Sequence, residues 1–160
     1  MIYIGIDPGL HCGWAMLSAT GQRLASGAWD LSSKRHEGAG MRWLRLRRYL
    51  SELIHEEVRW SSMARSFVLG YEEVARHAGT DAAHVYGACI GEVQSWCELN
   101  AVPYRGLPVA TVKRAATGKG NASKEAMCEA ALLVWRLPLP IDDNEADALW
   151  IAETLRRDLE

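Results

Sequence analysis

The first nine residues, MIYIGIDPG, constrain the fold of this chain more than any other stretch. Three isoleucines alternate there with other residues, which predicts a central β-strand at the start of the chain. Pro8 cannot donate to a strand ladder and Gly9 permits a positive φ, so the strand must end directly after Asp7. A carboxylate at the end of a buried strand is costly unless a cation meets it. Two interpretations of Asp7 follow: a metal ligand, or an aspartate that caps the turn through its own backbone.

Composition limits the class of protein. A chain of 160 residues with 49% hydrophobic residues predicts a single globular domain over residues 1–160. The formal net charge of −2 is not that of a strongly basic nucleic-acid-binding domain. The charges are segregated, however: basic residues concentrate in segments 34–48 and 113–124, and acidic residues at 72–73 and 142–147. Separate acidic and basic clusters suit a metal site that faces a polyanion.

The cysteines and the hydropathy pattern indicate the compartment. The four cysteines, at positions 12, 89, 97 and 128, show neither a CxxC spacing nor a zinc pattern. Free buried thiols in a reducing compartment are the simpler interpretation. The sequence shows no signal-like segment and no apolar run long enough to span a membrane, which predicts a cytoplasmic protein without a membrane partner.

Periodicity predicts the element order β-β-β-α-β-α-β-α-α, with an additional helical turn from Pro108. Strands are expected within residues 1–9, 11–18, 23–29, 66–72 and 102–107, and helices at 41–58 and from about 80 to 100, with two more beginning near 121–123 and 142–143. The candidate N-caps are Thr80 or Asp81, Asn121 or Ser123, and Asp142 or Asp143. The first three strands form an antiparallel meander. The predicted fold class is therefore α/β, a mixed five-stranded sheet flanked by helices.

The helix predicted from about residue 80 carries a stripe of small residues that recur at every fourth position, namely Ala83, Gly87, Gly91 and Ser95. This small-residue stripe would let another backbone approach closely. It either packs onto the sheet or forms a helix pair across a dimer axis, and the sequence leaves both interpretations open.

Acidic residues lie at the ends of several predicted elements. Asp7 ends the first strand, Glu72 ends the fourth, and Asp143 and Asp147 lie within one turn of each other in the final helix. If the first and fourth strands are parallel neighbours, these carboxylates meet at one edge of the sheet. Mg²⁺ and Mn²⁺ require oxygen ligands, and carboxylates this close cannot all stay ionised without a cation. The sequence therefore predicts a divalent-metal site at this edge.

Four stretches carry a resemblance to a known family: GIDPG, YEEV, VKRAATGKGNASKEAM and NEADALWIAE. They resemble the RuvC family of Holliday junction resolvases, within the ribonuclease H-like superfamily, over nearly the whole chain. The resemblance implies a ribonuclease H-like fold and a nucleoid-associated homodimer that cuts four-way DNA junctions symmetrically. It also implies phosphodiester hydrolysis assisted by two Mg²⁺ ions, with Mn²⁺ as the alternative, and it places three of the metal ligands on Asp7, Glu72 and Asp147.

The same resemblance assigns roles to basic residues and shows two departures from the family pattern. Lys113 and Lys124 match basic residues close to the scissile phosphate, although either could be an ordinary surface lysine. The fourth metal ligand falls on Asn144, where the family has Asp or His, and the neighbouring Asp143 is slightly favoured because it brings a charge. At Ala75, bacterial members have an aromatic side chain that stacks on a junction base. The expected DNA-binding residues are Arg76, His77, Lys113, Arg114, Lys119 and Lys124.

Three other functions are open at this point. The absence of an aromatic residue at Ala75 allows a nuclease of the same fold that acts on flaps, replication forks or RNA–DNA hybrids. The GIDPG stretch also resembles the first phosphate loop of sugar-kinase and actin-like ATPases, but those proteins need a second similar domain. Asn144 would suit a DNA-binding member of the fold without catalytic activity, which the retained acids argue against.

Overall fold

The computed structural model describes residues 1–60, 66–75 and 79–160, and for residues 56–60 the backbone alone. The predicted order of elements is confirmed, and the helical turn after Pro108 is a full helix, α3. Within the described ranges the elements in chain order are β1 (Ile2–Asp7), β2 (His11–Ser18), β3 (Arg23–Asp30), α1 (Met41–Trp60), β4 (Phe67–Glu73), α2 (Thr80–Leu99), β5 (Tyr104–Pro108), α3 (Val109–Thr117), α4 (Lys124–Trp135) and α5 (Asp143–Asp158).

The strands form a mixed sheet in the order β3-β2-β1-β4-β5. The first three strands are the predicted antiparallel meander, and β4 pairs in parallel with both β1 and β5. In the β1–β4 register Ile6 lies opposite Tyr71. The residues that follow them, Asp7 and Glu72, therefore reach the same edge of the sheet. The α/β class and the parallel pairing of the first and fourth strands are confirmed.

Helices cover both faces of the sheet. On one face, Ile4 of β1 packs in a core with Leu50 of α1 and Val93 of α2. On the other face, side chains of the sheet pack with α3, α4 and α5, through residues such as Val112, Met127 and Leu149. A strand that is covered on both faces is expected to be apolar on both, which explains the composition of β1.

The helix caps confirm two of the three cap predictions. Ser123 caps α4, since its side chain accepts a hydrogen bond from the Ala126 amide, and Asp142 caps α5 by accepting from the Asn144 and Glu145 amides. The prediction for α2 is wrong. Its N-cap is Gly79, which has no side chain to accept a hydrogen bond, because the helix already begins at Thr80.

The small-residue stripe faces away from the sheet. The side chains that α2 buries are those of Cys89, Val93, Trp96 and Cys97. Gly87 and Gly91 are exposed, and a Cβ atom built on either glycine would meet no described atom within 4 Å. The interpretation that the stripe packs onto the sheet is therefore wrong. The interpretation as a helix pair between two chains stays a prediction.

The cysteines are free thiols, as the sequence predicts. All four cysteines are free, and burial raises the pKa of Cys97 to about 12, as expected for an unreactive core thiol. None of the helices in the described ranges has the length and apolar character needed to cross a membrane.

Candidate active site

Two carboxylates reach the same edge of the sheet on neighbouring strands. Asp7 is the last residue of β1, and Glu72 lies at the carboxyl end of β4. Because β1 and β4 are parallel, both side chains lie at the same end of the pair. Both are half-buried, whereas Glu73 is exposed, as expected for consecutive residues whose side chains point to opposite faces of a strand. This placement supports Glu72 over Glu73 as the partner of Asp7.

Helix α5 packs against the sheet through its backbone. A Cβ atom on Gly5 would lie 2.1 Å from the Ala148 carbonyl oxygen, and one on Gly13 would lie 1.9 Å from the Asn144 carbonyl oxygen. Only glycine leaves room for a helix this close to a strand. The contact sets the first turns of α5 over β1 and β2 and brings Asp147 within electrostatic reach of Asp7.

Neither of these two strand glycines was singled out from the sequence. A glycine inside a strand pattern was the available signal, because it often marks the close approach of another backbone. The signal does not say which element approaches. That information comes only from the tertiary packing, in which α5 crosses both strands.

Asp7, Glu72 and Asp147 form a set that we call the carboxylate cluster. Burial raises the pKa of Asp7 well above its usual value, and the charges of Glu72 and Asp147 raise it further. Burial, followed by the charge of Asp147, raises the pKa of Glu72 to about 6. Burial also raises the pKa of Asp147 to about 6. The fold therefore makes these acids reluctant to ionise together unless a cation joins them.

The donor chemistry of the carboxylate cluster fits a hard divalent cation. Within residues 1–60, 66–75 and 79–160, none of its three side chains has a hydrogen bond or ion pair. In these ranges no three acidic, histidine or cysteine side chains already lie close enough to enclose an ion. Repulsion is expected to keep ionised carboxylates apart until a cation offsets it. Carboxylate oxygens suit Mg²⁺ or Mn²⁺ better than the softer metals that prefer thiolates.

The positive charges of two lysines lower the pKa values of acids in the carboxylate cluster. Lys113 of α3 is half-buried, and its Nζ donates to the Ala122 carbonyl oxygen at 2.9 Å. Its charge partly offsets the effect of burial on the pKa values of Glu72 and Asp147. The side chain of Lys124, the first residue of α4, is 67% accessible, and its charge also opposes the raised pKa of Asp7. The structure thus brings both predicted lysines to the acidic edge of the sheet.

The two candidates for the fourth metal ligand have different neighbours. Asp143 forms an ion pair with Lys124, whose Nζ donates to Asp143 Oδ2, and this contact lowers the pKa of Asp143. The Asn144 side chain donates from Nδ2 to Asp142 Oδ1 at 3.0 Å, and its backbone carbonyl lies against Gly13. The first turn of α5 therefore directs Asp143 towards α4 and places Asn144 over β2.

Comparison with known proteins identifies the family. No protein-family model matches the chain. The crossover junction endodeoxyribonuclease RuvC of Anaeromyxobacter sp. (strain Fw109-5) is 33% identical over 164 residues, which cover 98% of this chain and 74% of that protein. This chain belongs to the RuvC family. The RuvC of Sorangium cellulosum (strain So ce56) is 29% identical, over 96% of this chain and 83% of that protein.

Solved RuvC structures have the same fold. T. thermophilus RuvC in complex with a Holliday junction substrate matches with a TM-score of 0.78 and 26% identity, covering 96% of this chain and 92% of that one. A further structure of Thermus thermophilus RuvC matches over the same shares with a TM-score of 0.75. The predicted ribonuclease H-like fold is confirmed. So is the predicted enzyme class, since the RuvC family consists of metal-dependent crossover junction endodeoxyribonucleases.

The other residues that the RuvC resemblance assigned to DNA binding are placed only in part. Lys119, in the loop after α3, is exposed, and Arg114, which follows Lys113 on α3, is also exposed. Arg76 and His77 lie outside the described residues. Ala75, where the sequence resemblance expects an aromatic residue in bacterial members, is exposed just beyond the end of β4.

The raised pKa values predict how the stability of this RuvC-family chain depends on pH. The folded-state pKa values of Glu72 and Asp147 are raised to about 6, above ordinary values of 4.5 and 3.8. The stability that these acids contribute is present below the ordinary values and is lost as the pH rises through about 6. Without metal, we expect the contribution of these acids to make the melting temperature fall between about pH 4 and about pH 7 and level off above that range. Mg²⁺ should offset the fall, because it binds the ionised carboxylates.

Calorimetry of the wild type and Glu72→Gln, with and without Mg²⁺, checks this expectation. The variant lacks one of the titrating groups, so its melting temperature should depend less on pH and respond less to Mg²⁺. Glu129→Gln is the matched control, because Glu129 lies on α4 outside the carboxylate cluster. An Mg²⁺ response in Glu72→Gln equal to that of the wild type would contradict the expectation.

Proposed function

We propose that this protein is a structure-selective endodeoxyribonuclease that resolves four-way DNA junctions by metal-assisted phosphodiester hydrolysis and leaves symmetric nicks. The observation that carries the proposal is the carboxylate cluster, three half-buried acids without direct partners in the described chain, at one edge of a RuvC-like sheet. A solved relative with this fold, T. thermophilus RuvC, is in complex with a Holliday junction substrate. Shared fold and retained acids together favour the same substrate for this chain.

In this proposal, the chain's own residues hold the cations and the phosphate. Asp7, Glu72 and Asp147 provide the carboxylate oxygens, with a fourth oxygen from Asp143 or Asn144. When bound, two Mg²⁺ ions, or Mn²⁺ as the alternative, lower the pKa of the attacking water and stabilise charge on the leaving 3′-oxygen. Lys124 contributes an ammonium group that offsets charge developing on the phosphate. Lys113, fixed by its bond to Ala122, adds positive charge at Glu72 and Asp147.

The proposed function includes a homodimer. A four-way junction presents two strands related by two-fold symmetry, so symmetric nicking requires two active sites that share that symmetry. The outward-facing small-residue stripe on α2 supports an interface there, because two helices without large side chains can approach closely along it. Arg114 and Lys119 would contact backbone phosphates, which predicts binding that weakens steeply as salt rises.

A second candidate is a nuclease of the same fold that acts on other branched DNA or on RNA–DNA hybrids. The observation that favours it is Ala75, which is exposed beyond β4 and offers no ring to stack on a base at the crossover. Such an enzyme would use the same acids and cations. The two candidates therefore differ in substrate and not in chemistry.

Cleavage of a matched set of substrates separates the two candidates. The set consists of a mobile four-way junction, a three-way junction, a flap and an RNA–DNA hybrid of equal length, each with and without Mg²⁺. We expect Mg²⁺-dependent cleavage of the four-way junction, with paired nicks at symmetric positions in opposite strands. Single nicks at any branch point would favour the second candidate, and cleavage without a divalent cation would contradict both.

A further inference from the structure

Residues 34–42, which we call the basic segment, follow β3 at the same edge of the sheet as the carboxylate cluster. β3 ends at Asp30, which lies opposite His11 in the β2–β3 register. The Leu31 amide then donates to the Leu10 carbonyl oxygen at 2.7 Å, so the chain that leaves β3 is tied to the turn after β1. Because only β2 separates β1 from β3, the ends of these strands lie about 10 Å apart.

Contacts between Glu37 and Arg45 brace the basic segment. Glu37 Oε2 accepts a hydrogen bond from the Lys34 amide at 3.0 Å and pairs with Arg45 Nη1 at 2.6 Å. Arg45 also donates from Nη2 to the Ser32 carbonyl oxygen at 2.6 Å. The side chains of Arg45 and Glu37 are only 11% and 24% accessible, so solvent screens this pair less than an exposed one. The loop between β3 and α1 is therefore fixed to the first turns of α1.

This bracing leaves other cations of the basic segment without an acidic partner. Glu37 is the only acidic residue among residues 31–48, and Arg45 already pairs with it. Lys34 and Arg35 are exposed, and within the described parts of the chain neither side chain has an ion pair. The first turn of α1 has no acidic residue either, so the positive end of the helix dipole adds to these charges.

Arg42, the second residue of α1, adds a third cation. Its Nη2 atom donates to the Ser33 hydroxyl, and its guanidinium carbon lies 5.7 Å from the centre of the Trp43 ring. Neither partner is charged, so these contacts orient the guanidinium without neutralising it. Several cations on a braced surface, with no acid to neutralise them, suit the regularly spaced phosphates of a nucleic-acid backbone.

The carboxylate cluster has positive charge on two sides. Lys113 and Lys124 belong to helices that pack on the same face of the sheet as α5, whereas the basic segment leads into α1 on the opposite face. The separation of the strand ends and the length of the side chains put the cations of the basic segment on the order of 10–20 Å from the carboxylate cluster. One DNA strand rises about 3.4 Å per nucleotide, so this distance spans about three to six nucleotides.

We propose that Lys34, Arg35 and Arg42 bind backbone phosphates of a duplex DNA arm, about three to six nucleotides from the phosphate that is cut. The inference rests on the proposed function for branched DNA as the substrate, and it adds a surface that grips one arm of that substrate. Contacts to phosphates position the arm and carry no sequence preference. The basic segment therefore contributes affinity, and the carboxylate cluster contributes the chemistry.

Site-specific removal of phosphate charge tests the position of the contact. Binding in Ca²⁺ compares the wild type with the double variant Lys34→Gln/Arg35→Gln on three four-way junctions. One junction is unmodified, one has neutral methylphosphonate linkages about three to six nucleotides from the mapped cleavage position, and one has the same linkages at the far end of the same arm. On the unmodified junction, we expect the double variant to bind about tenfold more weakly near physiological salt.

The modified junctions should remove that difference at one position only. On the junction with neutral linkages near the cleavage position, the wild type and the double variant should bind alike, because the phosphates that the lysine and arginine would contact carry no charge. On the junction modified at the far end, the tenfold difference should remain. Equal differences on both modified junctions would overturn the assigned position.

The salt dependence of binding provides a second readout with a matched control. Each lost phosphate contact lowers the slope of log affinity against log salt by about 0.9, so the slope of the double variant should be smaller by about 2. Arg105→Gln is the control, because Arg105 is an exposed cation that pairs with Asp158 in the last turn of α5, away from the carboxylate cluster. We expect wild-type affinity and slope for this control. A double variant that also keeps both would overturn the inference.

Cleavage at saturating enzyme separates this inference from the proposed function. The double variant should cleave at a rate within about twofold of the wild type, since its carboxylate cluster is intact and only binding is weakened. If the wild type does not cleave a four-way junction in Mg²⁺, the proposed function fails, while the binding assays still decide whether the basic segment contacts a duplex arm. If the wild type cleaves but the double variant binds equally well at every salt concentration, the inference fails and the proposed function stands.

Discussion

Asp7→Asn is expected to lower junction cleavage by about a thousandfold or more while junction binding stays within a few-fold of the wild type. The substitution keeps the shape of the side chain and removes the charge at the centre of the carboxylate cluster. Binding should persist, because it depends on basic residues such as Arg114 and Lys119 that the change does not touch. Cleavage assays at saturating enzyme and gel-shift assays in Ca²⁺ measure the two quantities separately.

The same variant should be more stable than the wild type when metal is absent. Burial and the neighbouring acids raise the pKa of Asp7, so ionised Asp7 destabilises the metal-free fold at neutral pH. Removing that charge should increase the free energy of unfolding, because a carboxyl group whose pKa is raised by burial destabilises the fold when it ionises. Glu129→Gln is the control and should change neither cleavage nor stability. Retained cleavage in Asp7→Asn would refute the role of Asp7 as a metal ligand.

Gly5→Ala is expected to have the largest effect on folding. The added methyl group would lie 2.1 Å from the Ala148 carbonyl oxygen and 2.6 Å from the Ala152 amide nitrogen. Both are backbone atoms of α5, so the clash is relieved only if the whole helix moves off the sheet. We expect a loss of about 3 kcal/mol or more in the free energy of unfolding, measured by urea denaturation.

A glycine without close neighbours provides the matched control for Gly5→Ala. A Cβ atom on Gly38 would meet nothing described within 4 Å, and its φ is not in the left-handed region, so Gly38→Ala should change stability by less than about 1 kcal/mol. Gly13→Ala is expected to lower the free energy of unfolding by an intermediate amount, because its added methyl group would meet α5 only in the first turn, at Asn144. Equal stability of Gly5→Ala and Gly38→Ala would contradict the close packing of α5.

The sequence predicted the fold and the acids of the site because both follow from local patterns. Apolar runs that end in Asp7 and Glu72 indicated buried strands with acids at their ends, and the sheet confirms that these strands are parallel neighbours. The caps at Ser123 and Asp142 are also local, and they were predicted correctly. Short-range patterns of this kind fix the elements and their order.

What the sequence did not predict depends on how distant elements pack. The contact of Gly5 and Gly13 with α5 requires the crossing of a helix over two strands, which no periodicity encodes. The outward direction of the small-residue stripe depends on which face of α2 the sheet covers. The Lys124–Asp143 pair likewise joins residues on two helices.

The most direct test of the account is an anomalous difference map from Mn²⁺-soaked crystals of the wild type and Asp7→Asn. Two peaks about 3.5–4 Å apart are expected at the end of β1, in contact with Asp7, Glu72 and Asp147. In Asp7→Asn at least one peak should be lost. Absence of any peak at these residues in the wild type, with Mn²⁺ bound elsewhere on the chain, would contradict the central claim that the carboxylate cluster is a metal centre.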